Sequence, residues 1–241
     1  MKSLFELLTK KIVFEEAVEF FGDKIPMNAA TFYEVAEEYK LFAFTVSGYT
    51  KAQIIEKFHR ELLKAIEDGL TVSQFKESIN SFLDEKGYKG VSNFQADVIF
   101  RTNIQTAYNV GHYKQMTNPE VIRLRPYWQY DAVNDKNTRP SHLAMDGKVF
   151  RADDPIWDIW YPPNGFRCRC GVNTLSERQV KERGLKIEEK SPTAAEVDGK
   201  FVNILPDPNF ANNPAKNYYS PDFKNYPESI KKAFKNREKS K

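Results

Sequence analysis

Arg125-Pro-Tyr-Trp-Gln-Tyr-Asp-Ala-Val-Asn-Asp135, Thr138-Arg-Pro-Ser-His142, Asp146-Gly-Lys-Val-Phe150 and Tyr161-Pro-Pro-Asn-Gly-Phe-Arg-Cys-Arg-Cys170 are four pieces of the stretch whose reading decides the fold. All three tryptophans and both cysteines of the 241-residue chain fall inside it. Aromatic residues and turn formers alternate here with Asp131, Asp135, His142, Asp146, Cys168 and Cys170, residue types that ligate metals, cap turns or pair with arginine. Alternation of Tyr127, Gln129 and Asp131 against Trp128 and Tyr130 predicts an extended strand over residues 121–131. Asp146-Gly147 predicts a tight turn before a strand at 148–150, and residues 167–174 read as a final strand. Between them Pro140 holds Arg139 out of helical conformation, and residues 141–145 read as a short helical turn carrying His142. The stretch is therefore expected to form a small β-rich module with an aromatic core of Tyr127, Trp128, Phe150, Trp157 and Trp160.

The chain upstream has a different texture. Thr50-Lys-Ala-Gln53, Thr71-Val-Ser-Gln74, Ser92-Asn-Phe-Gln95 and, downstream, Ser176-Glu-Arg-Gln179 all match the capping box, in which a hydroxyl and a glutamine side chain satisfy two orphan amides at a helix start. The first three precede apolar periodicity: Ile54, Ile55, Phe58, Leu62, Leu63 and Ile66; Phe75, Ile79, Phe82 and Leu83; Phe94, Val98 and Ile99. Gly69 and Gly87 stand where left-handed caps would end the first two helices. Short connections predict antiparallel neighbours, a helical layer. On the third helix Arg101, Gln105 and Tyr108, beside Thr102 and Asn109, read as a solvated polar face, and His112 as a surface or packing residue.

At the ends the signals are weaker. Residues 4–22 carry apolar residues at three- and four-residue spacing and read as a helix or packing arm; residues 31–39 look helical, and 41–47 are ambiguous between strand and helix. Residues 186–228 are rich in Pro, Asn, Asp and Lys and read as an extended arm with little core of its own. The expected division is an N-terminal helix or arm at 1–24, a helical region at 25–118, a β-rich module at 119–185 and a C-terminal arm at 186–241. The fold class is α+β: an N-terminal helical layer packed with a small irregular β-rich module, followed by the extended arm.

Composition narrows function. With 41% hydrophobic and 29% charged residues the chain reads as globular, and no apolar run approaches the roughly 20 residues that span a bilayer. Net charge is only +3, yet residues 230–241 hold six Lys/Arg against one Glu, so any DNA contact is expected from that tail. Two cysteines spaced Cys-x-Cys do not make a disulfide framework and are expected to be reduced.

Three chemical readings compete for the central stretch. Cys168 and Cys170, with His142 as third donor and Asp146, Asp131 or Asp135 as fourth, have the thiolate and imidazole character that suits zinc. A hydrolase reading, a metal-dependent nuclease or protease centred on His142 and the Cys168/Cys170 pair, would use an aspartate beside His142 for proton transfer. No Gly-x-Ser-x-Gly, His-Glu-x-x-His or phosphate-cradling glycine loop supports it. In the third, structural reading Asp131, Asp135 and Asp146 cap turns or pair with Arg123, Arg139 or Arg169, and no residue is catalytic.

These same pieces, with Ala152-Asp-Asp-Pro155 and the upstream Phe42-Ala-Phe-Thr-Val-Ser-Gly48, Glu67-Asp-Gly69 and Arg101-Thr-Asn-Ile-Gln-Thr-Ala-Tyr108, resemble the phage Mu F-like minor head protein family, the phage head morphogenesis domain. The resemblance covers roughly residues 25–185 and rests most on Pro-Pro-Asn-Gly-x-x-Cys-Arg-Cys with the upstream Thr-Arg-Pro-x-His. It implies a minor capsid protein of a phage or prophage, present in few copies in the virion. Such a protein is made in the host cytoplasm, binds the portal or the major capsid protein during head morphogenesis, and aids DNA packaging or delivery. Positions carried over are Arg101, Asp131, Asp135, Thr138, Arg139, His142, Asp146, Gly147, Cys168, Arg169 and Cys170, with no catalytic role implied for any of them. One departure stands out: many relatives have a histidine just before Tyr-Pro-Pro, where this chain has Trp160.

Overall fold

A computed structural model of the chain describes residues 13–35 and 37–219. The predicted start of the N-terminal helix and the basic tail at 230–241 lie outside the described residues. Within them, helix α1 (Glu15–Gly22) is followed by the two-residue strand β1 (Ile25–Pro26), α2 (Ala29–Glu34), a 3-10 turn (Glu37–Phe42) and β2 (Ala43–Phe44), which pairs in parallel with β1. The ambiguous 41–47 segment is thus part turn, part short strand. Asn28 opens α2 by accepting from the Thr31 amide at 2.9 Å.

The helical layer is α3 (Ala52–Asp68), α4 (Val72–Glu85) and α5 (Asn93–Met116), packed against one another as expected. Capping boxes form at Thr71/Gln74 and Ser92/Gln95, and a third forms at Ser176/Gln179. The Thr50/Gln53 box does not form: Lys51 is the N-cap of α3 and no side chain caps it. Gly69 ends α3 in the left-handed region (φ 69°), its amide donating to Ala65 O at 2.9 Å. Phe58, Leu62, Phe75, Ile79 and Leu83 are fully buried in this layer. Helix α5 runs through Gly111 to Met116, so His112 lies inside it and is half-buried. Gly111 is where α1 crosses: an added Cβ would come within 2.9 Å of the Ala17 backbone nitrogen and the Phe14 ring.

Past Asn118 the expected strand is partly replaced. Asn118 accepts from Glu120 N at 2.9 Å and Pro119 sits at the first helical position, so residues Pro119–Leu124 form α6. Pro119 starts this helix without cost, because its missing N–H would have no intrahelical partner at that position. Strand β3 (Tyr127–Asp131) then occupies the centre of a three-stranded antiparallel sheet, between β4 (Val149–Arg151) and β5 (Gly171–Leu175). Trp128 pairs with Phe150 on one side and Thr174 on the other, and Tyr130 with Val172. The intervening α7 (Pro140–Met145) carries His142, Gly147 closes the predicted turn at φ 73°, and α8 (Trp157–Trp160) supplies two tryptophans. Because β5 begins only at Gly171, Cys168 and Cys170 lie in the approach to the strand and not on it.

Trp128, Phe150, Trp157 and Trp160 join the predicted aromatic core, with Tyr130 and Tyr161; Tyr127 instead packs on a small satellite cluster of Val149, Leu175 and Val180. The main core is continuous from α1 through the helical layer into the sheet module. After α9 (Glu177–Glu182), a hairpin of β6 (Ala194–Val197) and β7 (Lys200–Asn203) leads to α10 (Pro214–Tyr219). This extended segment has little core of its own, but Ile204, Ala215 and Tyr218 are buried in the main one. Among the described residues no helix is long and apolar enough to cross a membrane.

Candidate metal centre

Two local devices bring His142 to the thiols. Pro140 opens α7, and His142, two residues on in the same first turn, is only 1% exposed. After the exposed Phe166, residues 167–170 alternate: Arg167 faces out, Cys168 in, Arg169 partly out, Cys170 in. Arg167 takes a left-handed backbone, φ 59°, which helps to turn the chain there. Helix α5 holds this segment down. Gln105 Nε2 and Asn109 Nδ2 donate to Cys170 O at 2.9 and 3.3 Å, and Thr102 Oγ1 accepts from Arg167 N at 3.2 Å. The face of α5 expected to be solvated is therefore the seat of the cysteine segment, and Asn109 is buried. Periodicity cannot reveal this, because a polar face that meets a buried loop backbone has the same pattern as one that meets water.

His142 Nδ1 lies 3.8 Å from Cys168 Sγ and 3.4 Å from Cys170 Sγ, and the three donor atoms fall within 4.8 Å of one another. All three side chains are buried. Both cysteines are reduced. The thiols titrate as a pair. A hydrogen bond from Cys170 draws the Cys168 thiol below its ordinary value, against the opposing effect of burial and with help from His142. The Cys168 sulfur and burial in turn push the Cys170 thiol up. A divalent cation bound here would favour both thiolates. His142 Nε2 is buried with no hydrogen-bond partner among the described residues. Two soft sulfurs and an imidazole in a dry pocket fit zinc, one donor short of its usual tetrahedral set.

Asp146, expected among the ligands, is elsewhere: its Oδ1 accepts from Ala132 N and its Oδ2 from Asn134 Nδ2, both at 2.8 Å. It caps the turn leaving β3. The other aspartates are likewise committed. Asp131 accepts from Asn173 Nδ2 at 3.1 Å across the sheet. Asp135 takes a two-pronged bond from Arg169 at 2.6 and 2.7 Å and accepts from Asn137 N at 2.9 Å, which holds its carboxyl well below the usual range. Thr138 joins that loop by donating to Val133 O and accepting from Arg169. Of the proposed pairings, Arg169 with Asp135 forms. Arg139 instead meets Asp207 at 2.8 Å, and Arg123 meets Glu120 at 2.7 Å. Gly165 lies beneath the Arg139–Asp207 pair, where an added Cβ would come within 2.3 Å of Asp207 Oδ2.

Buried partners that sequence reasoning missed complete the centre. Tyr130 OH donates to Asn164 Oδ1 at 2.8 Å, with Asn164 fully buried, and Tyr161 OH donates to Asn109 O at 2.8 Å. Trp160, at the position of the departure, packs edge-on against the His142 ring with centroids 5.9 Å apart. A histidine there would stand beside the same cluster.

The family model described as Phage Mu protein F like protein matches residues 56–173. A curated protein named Mu-like prophage FluMu F protein, from Haemophilus influenzae, is 40% identical over 184 residues, 71% of this chain and 44% of its own length. The protein named Putative capsid assembly protein F, from Escherichia phage Mu, is 34% identical over 189 residues, 72% of this chain and 43% of its own length. This chain thus spans less than half the length of these curated relatives. No solved structure matches. The matched segment runs from α3 into β5 and encloses His142, Cys168 and Cys170, and through it the chain belongs to the phage Mu F-like protein family.

Proposed function

We propose that this protein acts in assembly of a phage or prophage head, as a minor component bound to the portal or to the major capsid protein. The observation that carries this reading is its likeness, over 72% of the chain, to a protein named for capsid assembly. The geometry favours a role as a stable building part. His142 and both thiols are sealed from solvent, and the nearby aspartates are engaged as turn caps and ion-pair partners. A hydrolytic centre needs a general base within reach of substrate and water, which a dry cluster does not offer. Under this reading the Cys168–Cys170–His142 cluster holds a zinc ion that staples the module, and aid to DNA packaging or delivery follows from its place in the head.

The experiment is co-expression of the tagged full-length chain with the portal and major capsid proteins of the same phage or prophage, followed by pull-down and electron microscopy of heads. Retention of one of these partners, together with malformed or missing heads when the gene is deleted, is the expected result. Normal, infectious heads without the gene would sink the proposal. Elemental analysis of the purified protein tests the staple: close to one zinc per chain is expected, falling below about a tenth in Cys168→Ser.

A further inference from the structure

The alternation that turns Cys168 and Cys170 inward turns Arg167 and Arg169 outward, beside Arg101 of α5 and Arg139 at the start of α7. With Asn137 and Phe166 these four arginines line a cleft of about 300 Å³. Four guanidinium groups gathered in one cleft repel one another, and an arrangement of that kind is costly unless anions share it. Three carboxylates answer part of the charge: Asp97, Asp135 and Asp207. The pairing at Asp97 is informative. It is reached by Arg101 and by Arg167, each through Nε at 2.5 Å. Arg101 donates Nε to Asp97 Oδ1, whereas Arg167 meets Oδ2 as a close ion pair without hydrogen-bond geometry, and the outer nitrogens of both guanidinium groups have no hydrogen-bond acceptor among the described residues. Asp97 therefore aligns two arginines and leaves their donor ends available to a further anion.

Two more observations point to the kind of anion. Arg167, the residue in the left-handed backbone conformation, is the one whose side chain reaches both Asp97 and the Phe94 ring, 5.5 Å away. Backbone strain of this sort is tolerated where the surroundings fix it and often accompanies a binding role. Flat apolar rings also stand exposed at the rim: Phe166 is 58% and Phe94 65% exposed. Phe166 packs edge-on against Phe210 and also borders a second, larger groove of about 960 Å³ that holds Lys24 and Tyr33. Arginines that grip phosphate, interleaved with exposed rings on which bases stack, form the usual surface for single-stranded nucleic acid. A duplex would present the phosphates but keep its bases from the rings.

We propose that the Arg101–Arg139–Arg167–Arg169 cleft binds the phosphodiester backbone of single-stranded nucleic acid, with a base against Phe166. The site uses none of the basic residues at 230–241, and it does not require that the thiol–imidazole cluster hold a metal. A staple beneath it would fix the spacing of Arg167 and Arg169 by fixing that of the two cysteines.

The test is fluorescence-anisotropy titration of the full-length protein with a labelled oligothymidylate of about ten nucleotides at low salt. Variants are Arg101→Gln combined with Arg167→Gln, and separately Phe166→Ala, which alters an exposed ring and no charge. Binding that weakens steeply with salt is expected. The double arginine variant should lose at least about tenfold in affinity and show a shallower salt slope, by roughly 0.7 per phosphate contact removed. Phe166→Ala should lose about fivefold or more. Absence of binding by the wild type, or wild-type affinity in folded variants of both kinds, would overturn the proposal. So would displacement of the oligonucleotide by an oligoglutamate peptide at matched charge concentration, which would mark the cleft as a protein-docking surface. Should the arginine pair prove too destabilised to measure, Phe166→Ala decides alone.

Discussion

The helical layer and the sheet module share one core yet are built by different rules. In the layer, Phe58, Leu62, Phe75, Ile79 and Leu83 bury only hydrocarbon, and local caps satisfy the starts of α4 and α5. In the module the strands are three to five residues long, and the interior admits His142, Asn164 and two thiols alongside Trp128, Tyr130 and Tyr161. Short strands bury too little apolar surface to be stable alone. The module depends instead on specific partners, each of which is expensive to remove once buried. A layer of the first kind tolerates change in proportion to area lost, whereas the second kind fails one partner at a time.

The sharpest way to test that contrast is to add a chelator to the wild type and to a variant in each region. If the thiol–imidazole cluster holds zinc, saturation at a thousandfold excess over Kd stabilises the fold by about 4 kcal/mol, and a chelator should lower the melting temperature accordingly. Cys170→Ser should melt at one temperature with or without chelator. Phe58→Ala should cost about 3–5 kcal/mol in the layer and keep the chelator response intact. A chelator response equal in wild type and Cys170→Ser would break the comparison.

Next in size is the buried polar pair. Asn164→Ala leaves the Tyr130 hydroxyl without its acceptor and should cost about 1–3 kcal/mol in urea unfolding. Adding Tyr130→Phe should recover part of that loss. Strict additivity of the two changes would mean that the hydrogen bond is not what the module depends on.

Asp97 gives a pH-dependent version. Burial opposes its ionisation, but Arg101 and Arg167 outweigh that and hold its carboxyl below the ordinary 3.8. A group with a depressed folded value stabilises fully above its unfolded value and loses that contribution as pH falls through the folded one. The stability difference between wild type and Asp97→Asn should therefore be constant between about pH 5 and 8 and shrink below about 4. A difference that grows on acidification would contradict the assignment.

The smallest effect separates two matches to one motif. Thr71→Ala should cost about 1 kcal/mol, because its hydroxyl caps α4, whereas Thr50→Ala should stay within about 0.5 kcal/mol, because no cap forms there. Equal costs would show that the motif and not the geometry sets the energy.

Much of this protein was determined by the sequence alone. Helices α3, α4 and α5, three of four capping boxes, the left-handed glycines at Gly69 and Gly87, the turn at Gly147 and the aromatic make-up of the module follow from periodicity and turn chemistry, which act within a few residues. The grouping of His142 with Cys168 and Cys170 was also legible, since the residue types limit which donors could meet. Tertiary structure decided the rest. It took Asp146 away from the cluster to cap a turn, and it used Gln105 and Asn109 to hold Cys170 O. By turning residues 165–170 over, it set two cysteines inside and two arginines in a cleft with Arg101 and Arg139. Local rules cannot reach these outcomes, because each hydrogen bond or ion pair joins groups far apart in the chain. Which polar group meets which is chosen only when packing brings them together and leaves water out.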